Sequence, residues 1–459
     1  MNSSKFNVKF LLAFALVALS AQAAEDPFHA YRDVAAAVTG YQARPCDFAA
    51  PTTQLSLPEV VDRALCGNPQ TREAWMNARV AAAQLGSAQS GYLPSVSVNA
   101  SMSRGRSAVF VNSANNASLG VTLNYLLFDF GARDAQTDAA RAALEAASRG
   151  QDSVVNTVFL SAVQNYYQYF AAVALVEAQR EAEHAAQESF SAADARYKVG
   201  TITRADVLQA QTAYSQARLN RLRAEGDARQ TQGALMSIMG LPADAGVAVA
   251  APSERATAVD MQDSVRRLIE TAQRQRPDLQ AAQAQVRAAQ AGVKAAAAAG
   301  KPSLSVSASS NYQRSDNAGG TGALLGLNLS MPLFTGYNTT YKIRAAQELV
   351  GVREAQQAGL ANDIALQVWR AWQSLATEES ALGASEDLLA SATASAQLAL
   401  GRYRAGVGNI LDVLNAQSSL ASARNQRIQS VYNWRLVKVA LAQAVGQLGL
   451  NELTDAGQN

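Results

Sequence analysis

The sequence predicts an α+β membrane protein that is complete only as a trimer. Three chains of four strands would close a twelve-stranded β-barrel in the outer membrane and send long α-helices away from it. Three observations predict this. The chain repeats itself once, each repeat carries a hairpin of half-apolar strands, and each hairpin is followed by a helix too long for a compact domain.

The duplication is read from residues. Arg196-Tyr197-Lys198-Val199-Gly200 and Arg402-Tyr403-Arg404-Ala405-Gly406 lie 206 positions apart. The same offset carries Asp206-Val207-Leu208 onto Asp412-Val413-Leu414 and Ala210-Gln211 onto Ala416-Gln417. Upstream, Pro94 to Val98 resembles Pro302 to Val306, and Leu127-Phe128-Asp129-Phe130-Gly131 resembles Leu333-Phe334-Thr335-Gly336 with one residue deleted. Two copies of one structural unit follow. The expected divisions are a signal peptide (1–23), an N-terminal segment (24–56), a first repeat (57–240), a linker rich in Pro, Ala and Gly (241–261), a second repeat (262–448) and a tail (449–459).

In the first repeat the strands are expected within 94–128. Val96, Val98, Ala100 and Met102 alternate with Ser95, Ser97, Asn99 and Ser101, and Leu119, Val121, Leu123, Tyr125 and Leu127 alternate mainly with small or polar residues. In the second, within 302–333, Leu304, Val306 and Ala308 alternate with serines, and Leu325 to Leu333 alternate with Gly326, Asn328 and Ser330. Period-two alternation gives each strand one apolar and one polar face.

The helices come next. No proline interrupts Gly131 to Gly200, and Val155, Phe159, Val163, Tyr166 and Phe170 form a stripe at helical spacing. The expected helix, about 131–198, would be roughly 100 Å long at ~1.5 Å per residue. Its second-repeat counterpart, about 337–403, carries Leu360, Ile364, Val368, Trp372 and Leu375. Return helices follow at about 205–239 and 411–448. Elements this long need a bundle, a coiled coil or a cylinder. Four strands cannot close a barrel alone, and an open sheet in lipid leaves edge groups unsatisfied, so three chains resolve the conflict. A soluble periplasmic sandwich or coiled-coil scaffold would share the alternation but would not need the helices and hairpins joined at one end.

Composition narrows the function. Lys and Arg number 39 against 37 Asp and Glu, a balance that excludes a nucleic-acid partner. Two histidines and two cysteines leave no material for a His-rich metal site, and no nucleophile–base arrangement is present, so no enzyme, cofactor or metal is expected. Lys5 and Lys9, the apolar stretch Phe10 to Leu19 and Ala21-Gln22-Ala23 predict an export signal cleaved after Ala23, with no cysteine at the cleavage point to lipidate. No later segment offers about 18 uninterrupted apolar residues, so a membrane span must be made of strands. Cys46 and Cys66, in an exported chain, are expected to form a disulfide, with two buried thiols as the alternative.

These residues together resemble the TolC family of trimeric outer-membrane export channels, along essentially the whole mature chain. The markers are Ala64-Leu65-x-x-Asn68-Pro69, Leu93-Pro94 before the first strand, Leu-Phe-x-x-Gly after the first hairpin and Leu-Phe-x-Gly after the second, and Arg-Tyr-x-x-Gly followed by Asp-Val-Leu in both copies. The resemblance implies an outer-membrane barrel, a helical periplasmic tunnel and a mixed equatorial domain. It also implies a passive homotrimeric conduit in outer-membrane lipid, recruited by a periplasmic adaptor and an inner-membrane pump of ABC or RND type. The cysteine pair leans toward the branch that secretes proteins by the type I route, with small-molecule efflux as the alternative.

The family closes its periplasmic end by links between the helical turns. By motif, Asp206 and Tyr403 fall on positions that bond to hold the helices inward, and Asp412 on the first of two acidic constriction positions. The second acidic position is Asn415 here, and an arginine of a second link is replaced by Gly408. One carboxylate ring is therefore expected. The alternative for Asp206 and Asp412 is N-terminal helix stabilisation. Gly200 and Gly406 are expected to shape the turns beside which the adaptor docks.

Overall fold

The computed structural model describes residues 27–29, 54–106, 113–252, 264–315 and 318–447. The signal segment 1–23, Cys46 and the tail 449–459 lie outside the described residues. The elements in chain order are α1 (Leu57–Gly67), α2 (Pro69–Ser90), β1 (Ser95–Arg106), β2 (Ser113–Phe128), α3 (Ala132–Lys198) and α4 (Arg204–Ile238). They continue with α5 (Val265–Gln275), α6 (Pro277–Ala298), β3 (Ser303–Ser315), β4 (Ala318–Ser330), α7 (Asn338–Arg404) and α8 (Ile410–Val445). The chain divides into two compact units. Of the described residues, one unit holds 27–29 and those within 75–150 and 280–359, and the other holds those within 54–74, 151–279 and 360–447.

The first unit contains one four-stranded antiparallel sheet in the order β1-β2-β3-β4. Its register aligns the apolar rows: Val98 faces Val121, Val306 faces Leu327 and Leu304 faces Leu329. That face is open, with Leu325, Leu327 and Leu329 each at least 66% exposed. So large an uncovered apolar surface marks a membrane or partner contact. The opposite face carries hydroxyls, and Ser101 and Ser118 bond to each other at 2.8 Å.

Each hairpin hands over to its long helix through two left-handed residues, Phe130-Gly131 (φ 54° and 87°) and Gly336-Tyr337 (φ 60° and 65°). Arg133 fixes the first of these turns. It pairs with Asp129 at 3.1 Å and donates to the carbonyls of Leu126 and Gly91 at 2.9 and 3.2 Å. Exposed aromatics gather at this end of the sheet, Phe128 against Phe130 and Phe334 against Tyr337. Behind them α2 packs on the start of α3 through Ala78, Ala81, Ala82, Leu85 and Leu144, a close-set core of small side chains.

In the second unit the stripes read from the sequence are core. Phe159, Val163, Tyr166 and Phe170 of α3 join Val60, Val61, Leu235 and Met236 in one buried cluster. Ile364, Val368 and Leu375 of α7 join Leu279, Leu441 and Val445 in another. Residues 241–250 of the expected linker (241–261) pack onto the first cluster. Leu55 bridges Val249 in parallel, Leu241 and Val247 cover the cluster, and the Tyr166 hydroxyl donates to the Ala250 carbonyl at 2.8 Å.

The duplication extends to helix ends. Both α1 and α5 stop before a proline, at Asn68-Pro69 and Arg276-Pro277. Asn68 donates to the Ile238 carbonyl at 3.2 Å, and Arg276 to that of Ala444 at 3.4 Å. Each caps the carboxyl end of a return helix, and Ile238 and Ala444 are again 206 apart. The same last-turn carbonyls are satisfied by unlike side chains.

Candidate functional site

The site lies wholly in the second unit, where α3 turns into α4 and α7 turns into α8. Both turns use the same chemistry. Gly200 and Gly406 adopt φ of 77° and 79°, a region almost closed to side chains. Gly200 N–H donates to the Tyr197 carbonyl and Thr201 N–H to that of Arg196. Gly406 and Val407 repeat the pair onto Tyr403 and Arg402. Both are Schellman caps, which satisfy the last carbonyls of the long helices.

The helices that follow begin differently. In α4 the Thr203 side chain receives Asp206 N–H, while Thr203 donates its own N–H and hydroxyl to Asp206 Oδ2 at 2.9 and 2.8 Å. This capping box engages the carboxylate locally. In α8 the cap is Asn409, which receives only the Leu411 N–H at 3.2 Å. Asp412, in the position equivalent to Asp206, is exposed and has no hydrogen-bond or ion-pair partner among the described residues. Asn415, one turn on, is exposed on the same helix.

Tyr403 is 5% exposed and its first-repeat counterpart Tyr197 is 41% exposed. The Tyr403 ring packs among Ala193, Ala210, Ile410 and Val413, with Phe190 and Ile202 beside them. Its hydroxyl is buried with no hydrogen-bond partner among the described residues. Asp206 and Tyr403 are therefore brought into one region but not bonded to each other in this chain. The Asp206 carboxylate instead closes its own helix cap.

The residue that joins the two turns is Arg196, which the sequence reading did not single out. Its guanidinium lies 4.2 Å from the Tyr403 ring centroid and donates to the Tyr403 and Arg404 carbonyls at 3.0 and 3.3 Å. One side chain thus caps the end of α7 from the end of α3 and covers the aromatic face. The signal was the repeated Arg-Tyr pair. Repetition alone could not say which arginine is engaged, and Arg402 is exposed.

Gly408 also has a local reason. A Cβ there would sit 2.9 Å from the Tyr403 amide nitrogen and 3.1 Å from Arg402. No side chain, arginine included, fits this turn as built. Away from the turns, α3 is tied to α8 by Ser189 with Gln417 and by Glu181 with Arg424 at 2.7 Å. It is tied to α4 by Arg221 with Glu183. Arg221 also bonds Glu225 at 2.8 Å, which holds that carboxyl below its ordinary range. The described residues offer no cluster of His, Cys, Asp and Glu able to hold a metal. Cys66 is disulfide-bonded, and Cys46 lies outside the described residues.

Residues 60–241 and 268–447 match the family described as outer membrane efflux protein, which takes in both repeats and both turns. The chain belongs to that family. Among relatives of this efflux protein, Protein CyaE of Bordetella pertussis is 32% identical over 404 residues, covering 86% of this chain and 85% of that one. Outer membrane efflux protein BepC of Brucella suis is 25% identical, covering 88% of each chain. Two solved channels share the fold. One is the Campylobacter jejuni CmeC outer membrane channel (TM-score 0.78, 20% identity, 87% of this chain and 88% of that one). The other is the outer-membrane channel OprN (TM-score 0.76, 20% identity, 88% and 98%).

Membership makes the chain a TolC-like channel component of the Gram-negative outer membrane that extends into the periplasm, and not an enzyme. TolC-like channels are homotrimers that work with adaptors and inner-membrane pumps. The four-stranded sheet is one chain's share of such a barrel.

Proposed function

We propose that this efflux-family chain forms the outer-membrane conduit of a type I secretion system, exporting protein with a periplasmic adaptor and an ABC-type inner-membrane pump. The observation that carries the reading is the order of similarity. The 32% relative, CyaE, has no efflux designation in its name, while relatives named for efflux stand at 25% and 27%. The disulfide-bonded Cys66 supports the same branch. A multidrug or small-molecule efflux channel is the second reading, favoured by the toluene efflux protein TtgC of Pseudomonas putida among the relatives.

In this reading the two turns are the resting gate. Asp412, three copies on one ring, faces the constriction as unpaired carboxylates and sets cation preference. Arg196 and Tyr403 hold the ends of α3 and α7 together. Asp206 and Asn415 shape the neighbouring helix starts, and Gly200 and Gly406 present the turns to the adaptor.

The test compares culture-supernatant proteins of the parent strain with those of a strain lacking the gene. Loss of one exported protein, retained in the cells, is expected. An unchanged supernatant together with new sensitivity to small toxic compounds would overturn secretion in favour of efflux.

A further inference from the structure

The apolar face of the sheet does not end in neutral residues. Along β3 it runs Leu304, Val306, Ala308, Ser310, Tyr312 and then Arg314. The eight steps from Leu304 to Tyr312 cover about 27 Å of strand at ~3.4 Å each, or roughly 20 Å along the membrane normal at a ~40° tilt. That nearly fills the ~25 Å apolar band of an outer-membrane barrel. The helix-ward end of the face carries the exposed aromatics Phe128, Phe334 and Tyr337. Tyr312, 43% exposed, then stands at the opposite interface, where aromatic rings anchor a barrel. Arg314 lies just beyond it, at the headgroup level of the outer leaflet.

A second arginine shares this position. Met102, Ala117 and Arg314 are level across β1, β2 and β3, and Arg104 follows Met102 by two residues on the same face. Two strand spacings of ~4.8 Å and a two-residue shift separate Arg104 from Arg314 by roughly 12 Å. Both are exposed, and neither has an ion-pair partner among the described residues. The four strands contain Arg104, Arg106 and Arg314 and no Asp or Glu, and the nearest acidic residue in sequence is Asp316, which lies outside the described residues.

Beside Arg314 the surface is recessed. A hollow of about 670 Å³ is bordered by Met102, Tyr312, Arg314 and Thr321 over a floor that includes Ala117 and Gly319. An unpaired guanidinium beside a hollow, with an apolar wall on the membrane side, is complementary to an amphiphile with a phosphorylated head.

We propose that Arg104 and Arg314 bind the phosphate groups of an anionic outer-leaflet lipid, with the headgroup in this hollow and the acyl chains along the apolar rows of β3 and β4. The site rests on the outer-membrane placement of the sheet and not on the cargo of the channel. It fixes the barrel's depth in the membrane, because the head is held by charge at one level while the chains follow the apolar rows.

Native mass spectrometry of the purified full-length trimer in nonionic detergent tests this, with bisphosphorylated lipid A, its dephosphorylated counterpart and inorganic phosphate as separate probes. Retention of the bisphosphorylated lipid is expected, with the dephosphorylated lipid bound at least about tenfold more weakly and inorganic phosphate not retained. Arg104→Gln with Arg314→Gln is expected to lower retention about tenfold or more, while Lys301→Gln, at the other end of β3, leaves it unchanged. Should the double variant fail to trimerise, Arg314→Gln alone gives the same reading. Equal retention by the variant, or equal retention of the dephosphorylated lipid, overturns the proposal. So does inorganic phosphate binding as well as the lipid, which would mark a plain anion site.

Discussion

Arg196 stacks on a tyrosine that sequence reasoning valued for its hydroxyl, and the two views of Tyr403 predict different outcomes. The hydroxyl is buried without a partner among the described residues, whereas the ring is packed on one side and covered by a guanidinium on the other. Tyr403→Phe is therefore expected to leave single-channel conductance in planar bilayers within about twofold of the parent. Arg196→Ala should raise it several-fold, because it removes charge-assisted bonds to two carbonyls and a cation–π contact, together on the order of 2 kcal/mol. A large increase from Tyr403→Phe would place the closing bond on the hydroxyl instead. The carboxylates divide in the same way. Asp412→Asn should abolish cation preference and block by multivalent ions, while Asp206→Asn should change neither. Ion selectivity measured on both variants checks this. The positions of these residues were legible in the repeated motif, and their division of labour was not. Thr203 and Asn409 differ in what they accept, and that difference engages one aspartate and leaves the other unpaired.

At the scale of the element, the turns decide how the long helices can end. Glycine at 200 and 406 is required by φ, and glycine at 408 by the nearby backbone of Arg402 and Tyr403. Gly406→Ala should cost about 1–2 kcal/mol through its left-handed φ alone. Gly408→Arg should do more, because its Cβ must displace backbone and break the Schellman cap as well. Restoring the arginine that the resemblance expects should therefore lower the thermal midpoint of the trimer and raise its resting conductance, not tighten the gate. Unfolding followed on both variants, with conductance on the second, measures this. The strands were readable from alternation, since only a sheet with one wet and one apolar face writes serine and leucine in strict turn. The long helices were readable from the missing prolines and the stripes that became their cores. The packing of residues 241–250 was not readable. Leu241, Val247 and Val249 are too few and too irregular to show a period, yet they cover the cluster around Tyr166.

For the whole molecule, the governing fact is that one sheet separates two solvents. Leu327 and Ser307 sit in neighbouring strands, Leu327 on the open apolar face and Ser307 on the opposite one, paired across from Gly326. If the apolar face meets lipid, an arginine at Leu327, level with Val306 and so between the helix-ward edge and the middle of the band, should cost on the order of 1–3 kcal/mol per chain, three times over in a trimer. An arginine at Ser307 points into water, where its charge costs little and adds a positive ring to the conduit. Leu327→Arg is thus expected to deplete membrane-inserted trimer, read as the heat-sensitive oligomer band from outer-membrane fractions. Ser307→Arg should assemble normally and shift ion selectivity toward anions. A barrel turned the other way, or a sheet that packs against protein instead of lipid, would reverse or erase that contrast. The pair of variants therefore tests the orientation on which both the conduit and the lipid site depend, without touching the gate.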